Sequence, residues 1–259
     1  MTTFDNWVLV SATIAGSLLG WGLLRKWWPA DQRREHNDIT GWQVSVLGTT
    51  YAVIVGFMLF AAWADFRTAD QNSDIEASCV INLYWAASGL PEGQRDEIRS
   101  LAYDYAKTIV TREWPAMARG EVTHDASQIV QRMWSTAAAA QPLTSSQEVG
   151  LAQVMTEISS IAKHRRIRQL QNETTLPAIL WIVLIVGAVI TLLSACMFGS
   201  QKPFLHMLQV TTLALMISLS LAAIADINRP FRGQVHVLPT GFENALRVFH
   251  RYGPAPGER

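Results

Sequence analysis

The stretch WQVSVLGTTYAVIVGFMLFAAWA, residues 42–64, decides how the rest of the chain is read, because it contains no Asp, Glu, Lys or Arg. As a helix rising about 1.5 Å per residue it reaches roughly 34 Å, enough for a hydrocarbon layer of about 30 Å. Gln43, Ser45, Thr49 and Thr50 are its only polar interruptions, and none breaks a helix. Three other runs match it: Trp7–Leu24 (WVLVSATIAGSLLGWGLL), Leu176–Phe198 headed by Pro177, and Leu205–Ala225. The first run is not read as a secretory signal, since Arg25 and Lys26 follow it instead of preceding it and no small-residue cleavage site comes next. Trp7, Trp27, Trp28, Trp42, Trp63 and Trp181 fall at or near the ends of these runs, where an indole sits well in a headgroup layer.

Composition agrees with this reading. Of 259 residues only 16% are charged, against about 25% in an ordinary soluble domain. Lys plus Arg number 21 and Asp plus Glu 21, so the net charge is +0 and a nucleic-acid partner, which needs a basic surplus, is excluded. Cys79 and Cys196 are the only cysteines, too few for a disulfide scaffold or a Cys-rich zinc site. The six histidines are scattered without metal-ligand spacing, and no Walker loop, GxSxG, HExxH, CxxC or GxGxxG occurs. No catalytic residue, metal site or cofactor is therefore expected, and an enzyme is not.

Between the second and third runs the pattern changes. Ile98, Leu101, Ala102, Tyr105, Ala106, Ile109 and Val110 recur at helical spacing in a charged background, as do Met155, Ile158, Ile161 and Ala162. Gly89 and Pro91 punctuate the start of this region, Pro115 and Gly120 are expected to end its second helix, and Thr144 with Gln147 forms a capping box. Thr123 or Asp125 is expected to cap a shorter helix running to Ala140. Two helices of this region are expected to run on into the neighbouring apolar spans. The tail from Asn228 holds Pro230, Gly233, Pro239 and Gly241, then a short helical pattern from Phe242 to Tyr252.

The expected fold is an all-α membrane protein: four transmembrane helices in two hairpins, with a helical bundle inserted between the second and third spans. Its parts are residues 1–65 (spans about 7–24 and 42–64), an amphipathic domain 66–175, a second hairpin 176–226 (spans about 176–198 and 205–225) and a tail 227–259. Arg25, Lys26, Arg33 and Arg34 follow the first span, which places that loop in the cytoplasm and the N-terminus, the helical domain and the C-terminus outside. Lys163, Arg165, Arg166 and Arg168, with Arg229 and Arg232, argue the reverse, but long loops translocate largely regardless of charge.

Within the second span Ser45, Thr49, Ala52 and Gly56 recur at four, three and four residues, making one small, weakly polar stripe. Such a stripe lines a wet path or packs closely on another helix. Carboxylates cluster near its ends: Asp38 before it, Asp65 closing it, Asp70, Asp74 and Glu76 beyond, and Asp226 at the end of the fourth span. Asp38, Asp65, Glu76 and Asp226 are the expected pore-mouth residues; a salt bridge from Asp65 or Asp226 to Arg67 or Arg229 is the purely structural alternative. Gly16 and Gly20 form a GxxxG, usable within the subunit or between subunits.

These residues resemble the bestrophin-like domain family of bacterial membrane proteins. The matching pieces are His36-Asn37-Asp38, Tyr51-Ala52-Val53 through Gly56, Glu76-Ala77-Ser78 with Leu83-Tyr84, and Leu90-Pro91. Further on come Tyr105, Glu113-Trp114-Pro115-Ala116-Met117 with Gly120, Leu176-Pro177 with Trp181, and Arg229-Pro230-Phe231 with Gly233. One departure is Asn228, where the family pattern has Asp. The resemblance implies a homo-oligomer in the bacterial inner membrane that conducts inorganic ions, with the lipid bilayer as its other partner. Bestrophins are anion channels holding the helical region in the cytoplasm, whereas the charges of this chain place it outside and put carboxylates at the mouth. The alternative is a non-conducting envelope anchor or sensor, which requires Trp114 to be exposed.

Overall fold

The computed structural model describes residues 3–173 and 175–252, and within them every regular element is helical. In chain order these are α1 (Thr3–Trp27), α2 (Ala30–Arg34), α3 (Asn37–Ala86), a 3₁₀ turn (Ala87–Gly89), α4 (Glu92–Thr108), a π turn (Ile109–Glu113), α5 (Trp114–Arg119), α6 (Asp125–Ala138), α7 (Ser145–Glu173), α8 (Ala178–Cys196), α9 (Pro203–Ile227) and α10 (Thr240–Tyr252). Helices long and apolar enough to cross a membrane lie within Asn6–Trp27, Asn37–Gly89, Ser145–Cys196 and Pro203–Ile227.

The chain divides into two units. The first comprises Met1–Asp65, Thr175–Arg229 and Gly233–Val235; the second comprises Phe66–Thr174, Pro230–Arg232 and His236–Arg259. Helix α3 runs unbroken for 50 residues, as the absence of Gly and Pro between Ala64 and Ser88 leads one to expect. The other expected continuity fails. Helix α7 stops at Glu173 and α8 starts at Ala178, with Pro177 extended at φ −53° and ψ 141°. Proline lacks an amide hydrogen and disfavours helical geometry in the residue before it. The Leu176 amide donates instead to Asn228 Oδ1 at 2.9 Å. Asn228 thus serves as a side-chain cap.

In the first unit Tyr51 and Ala62 of α3 pack with Leu184, Ala188 and Leu192 of α8 and with Ala214, Ile217, Leu221 and Ile224 of α9. Its two short turns are fastened together. Asn37 grips Gly199 twice, Nδ2 donating to its carbonyl and Oδ1 accepting its amide, both at 2.9 Å. Gly199 is required there, because a Cβ would lie 2.5 Å from the Arg34 nitrogen and 2.6 Å from the Ala30 oxygen. Arg33, 2% exposed, donates Nη1 to the Cys196 carbonyl at 2.9 Å, capping the C-terminus of α8.

The second unit is built on Leu83 of α3, Ile98 and Tyr105 of α4, Met133 of α6, Ile158 and Ile161 of α7 and Phe242 of α10. Pro115 does not end the second helix as expected. The chain widens through the π turn, and Pro115 occupies the first turn of α5, where a missing amide costs nothing. Gly120 ends it at φ +84°, a left-handed cap that suits glycine. Helix α6 begins at Asp125 without a side-chain cap at His124. At α7 the Gln147 amide donates to Thr144 Oγ1 at 3.3 Å, and Gln147 Oε1 accepts the Leu143 amide at 2.7 Å, one residue earlier than a capping box predicts. Much of the tail joins this unit, because α10 buries Phe242, Ala245 and Phe249.

Candidate functional site: the exposed face of the long helix

Ser45, Thr49, Ala52 and Gly56 are all exposed on α3, while Tyr51 and Ala62 of the same helix face the core of the first unit. Trp42, Phe60 and Trp63 extend the exposed strip at both ends. Thr49 Oγ1 donates to the Ser45 carbonyl at 2.8 Å, so its hydrogen is used within the helix and its outward side can only accept. Apart from its chain neighbours and the backbone of its own helical turns, no described atom lies within 4 Å of a Cβ built on Gly56, Gly48, Gly16 or Gly20. Close packing inside the chain therefore does not explain the small residues of this stripe or the GxxxG of α1. Both are free for lipid or a second copy.

The four expected mouth carboxylates separate into two kinds. Asp38, in the first turn of α3, and Asp65 are exposed. Glu76 and Asp226 are not, and the expectation that they present free carboxylates is corrected. Asp226, 7% exposed, accepts the Gln234 amide at 3.1 Å and the Val235 amide at 3.0 Å, closing the turn after α9. It makes no ion pair with Arg67 or Arg229.

Glu76 is fully buried in a charged cluster of the second unit. Arg168, also fully buried, donates Nε to Glu76 Oε2 at 2.8 Å and Nη2 to Oε1 at 3.0 Å. Its Nη2 also reaches Glu113 Oε1 at 3.2 Å, and Arg165 Nη2 lies 3.3 Å from Glu113 Oε2. Tyr105 donates its hydroxyl to Glu76 Oε1 at 2.6 Å. Burial, and after it the Glu76 charge, pushes the Tyr105 phenol well above its ordinary range. The Arg168 guanidinium stands 5.3 Å from the Trp114 ring centre, and Trp114, 5% exposed, donates Nε1 to the Val237 carbonyl at 3.0 Å. Two carboxylates and two guanidiniums thus neutralise one another inside an apolar bundle. Sequence reasoning missed this cluster, although a signal was present: Arg165, Arg168 and Asn172 continue the spacing of Val154, Ile158 and Ile161 along the buried side of α7. Beside it lies a small cleft lined by Glu113, Met117, Glu121, Thr123, Gln169 and Asn172, among others. Among the described residues no three His, Cys, Asp or Glu side chains gather as a metal site would need.

Long apolar helices and a helical second unit together define a protein of the all-helical membrane type. The Bestrophin-like domain family matches residues 11–242, and the chain belongs to that family. Its fold is similar to a bacterial bestrophin homologue from Klebsiella pneumoniae carrying a leucine-to-threonine substitution: TM-score 0.72, 13% identity, covering 96% of this chain and 100% of that one. An isoleucine-to-threonine form of a bestrophin homologue from the same organism gives a TM-score of 0.68 at 12% identity, covering 95% and 98%. A membrane protein with a glycine-to-alanine substitution gives 0.68 at 13%, covering 95% and 99%. No curated protein sequence matches this chain.

Proposed function

We propose that the protein is one subunit of a homo-oligomeric ion channel whose path is lined by Ser45, Thr49, Ala52 and Gly56 of α3. The observation that carries this reading is that the small, weakly polar face of a 50-residue helix is left exposed by the described residues of its own chain. Family membership supports it, and so does the burial of Trp114, which an interaction module built around that residue would expose. The chain is read as crossing the bacterial inner membrane four times in two hairpins, with the helical unit between the second and third spans. Asp38 and Asp65 stand at the two ends of the apolar stretch, where carboxylate rings draw inorganic cations.

The direct test is ion flux from liposomes. Thr49→Trp should abolish flux while the assembly keeps its mass in detergent; unchanged conductance removes α3 from the path. Arg25, Lys26, Arg33 and Arg34 of the first turn support a reading with the N-terminus, helical unit and C-terminus outside. Reporter fusions after Gly120 and after Tyr252 should both signal the extracytoplasmic side, and a cytoplasmic signal from either reverses the orientation.

A further inference from the structure

We propose that the two turns at one end of the first unit form a binding surface for the headgroup of an anionic phospholipid. The inference rests on the membrane reading above but not on conduction. The turns comprise residues 28–36, between α1 and α3, and residues 197–202, between α8 and α9. The Asn37–Gly199 and Arg33–Cys196 hydrogen bonds bind them into one platform. On it Arg25, Lys26, Arg34 and Lys202 are exposed. Asp31, Glu35 and Asp38 are exposed as well, yet among the described residues no carboxylate forms an ion pair with any of the four cations. Every ion pair among the described residues lies in the other unit.

Arg33 adds a fifth positive charge without adding a partner. It is 2% exposed, its Nε meets no acceptor, and its one bond goes to the backbone at a helix C-terminus. Held in place beneath the surface, it cannot turn outward to find a counter-ion, so its field adds to that of the exposed cations. Five bases against three acids leave a surplus of two. A hydrophobic indole flanks this charge: Trp27, at the end of α1, is 83% exposed. An exposed aromatic next to unpaired cations suits a ligand with acyl chains on one side and a negative phosphate on the other, which is an anionic glycerophospholipid. Free phosphate would use the cations and make no use of the Trp27 indole.

The test uses the full-length protein in neutral detergent, titrated with short-chain phosphatidylglycerol or phosphatidylcholine and read by native mass spectrometry. The wild type should bind the anionic lipid more tightly, and each of Lys26→Gln and Arg34→Gln should weaken it about fivefold without affecting phosphatidylcholine. Arg247→Gln, on α10 of the second unit, should retain the full preference. Equal affinity for the two lipids overturns the proposal. So does a preference that survives Lys26→Gln together with Arg34→Gln, or one that inorganic phosphate removes as effectively at the same concentration. Should those variants not fold, the wild type decides: raising salt from about 0.05 M to about 0.5 M should erase the preference, and its persistence overturns the site. Alkaline carbonate extraction separates the two readings. Release into the soluble fraction overturns the membrane assignment, whereas retention with no lipid preference overturns this site alone.

Discussion

Arg168 shows at the scale of one residue why a buried charge must be read with its partners. Its guanidinium satisfies both oxygens of Glu76 and one of Glu113 in a fully buried site. Removing it leaves Glu76 buried without a cation and Glu113 with Arg165 alone, and Arg168→Ala should cost about 3–5 kcal/mol, measured as a fall in the thermal midpoint of the detergent-solubilised protein. Tyr105 gives a second residue-scale expectation. Its phenol is raised in the folded protein, so the stability it adds is complete below pH about 10, where an unfolded tyrosine ionises, and is lost as pH climbs toward the folded value. Of the five tyrosines, Tyr105 should remain protonated longest in an absorbance titration at 295 nm. Tyr105→Phe should lower stability at neutral pH, because Glu76 loses a donor, yet flatten the alkaline decline above pH about 10.

At the scale of the element, glycines on the same kind of helix-rich scaffold behave in opposite ways. Gly199 is pressed against backbone atoms that cannot yield, so Gly199→Ala should destabilise the first unit by about 1–3 kcal/mol, read as a lower thermal midpoint. Gly56 has open space around it, and Gly56→Ala should leave the fold intact or stabilise α3 by up to about 1 kcal/mol. Any effect of that change on flux then reports on what faces the helix from outside the chain. Much of the element structure was legible beforehand. Apolar runs and helical periodicity gave the long helices, since hydrocarbon length and the 3.6-residue repeat leave few alternatives. The breaks were less legible: Pro177 ended a continuity that the lack of helix breakers up to Thr175 suggested, while Pro115 entered a helix instead of stopping one. Proline removes an amide wherever it sits, and only the neighbouring turn decides whether that amide was needed.

For the whole molecule, the low charge content resolved into two environments. The first unit carries the apolar helices, and the second collects the ion pairs. Family membership and the uncovered face of α3 join in the channel proposal, for which flux blocked by Thr49→Trp in an intact assembly is the measurement that counts. Of the candidate site, the sequence by itself determined the stripe, because helical spacing alone puts Ser45, Thr49, Ala52 and Gly56 on one side. It could not distinguish a stripe packed on a neighbour from one left open, since that depends on where α8 and α9 lie. Nor could it sort the carboxylates. Glu76 and Asp65 look alike along the chain, two carboxylates a few turns apart on one helix. Only the tertiary structure brought Arg168 and Tyr105 against Glu76 and two backbone amides against Asp226, leaving Asp38 and Asp65 exposed. A carboxylate's role is set by what desolvates and pairs it, and those groups come from distant parts of the sequence.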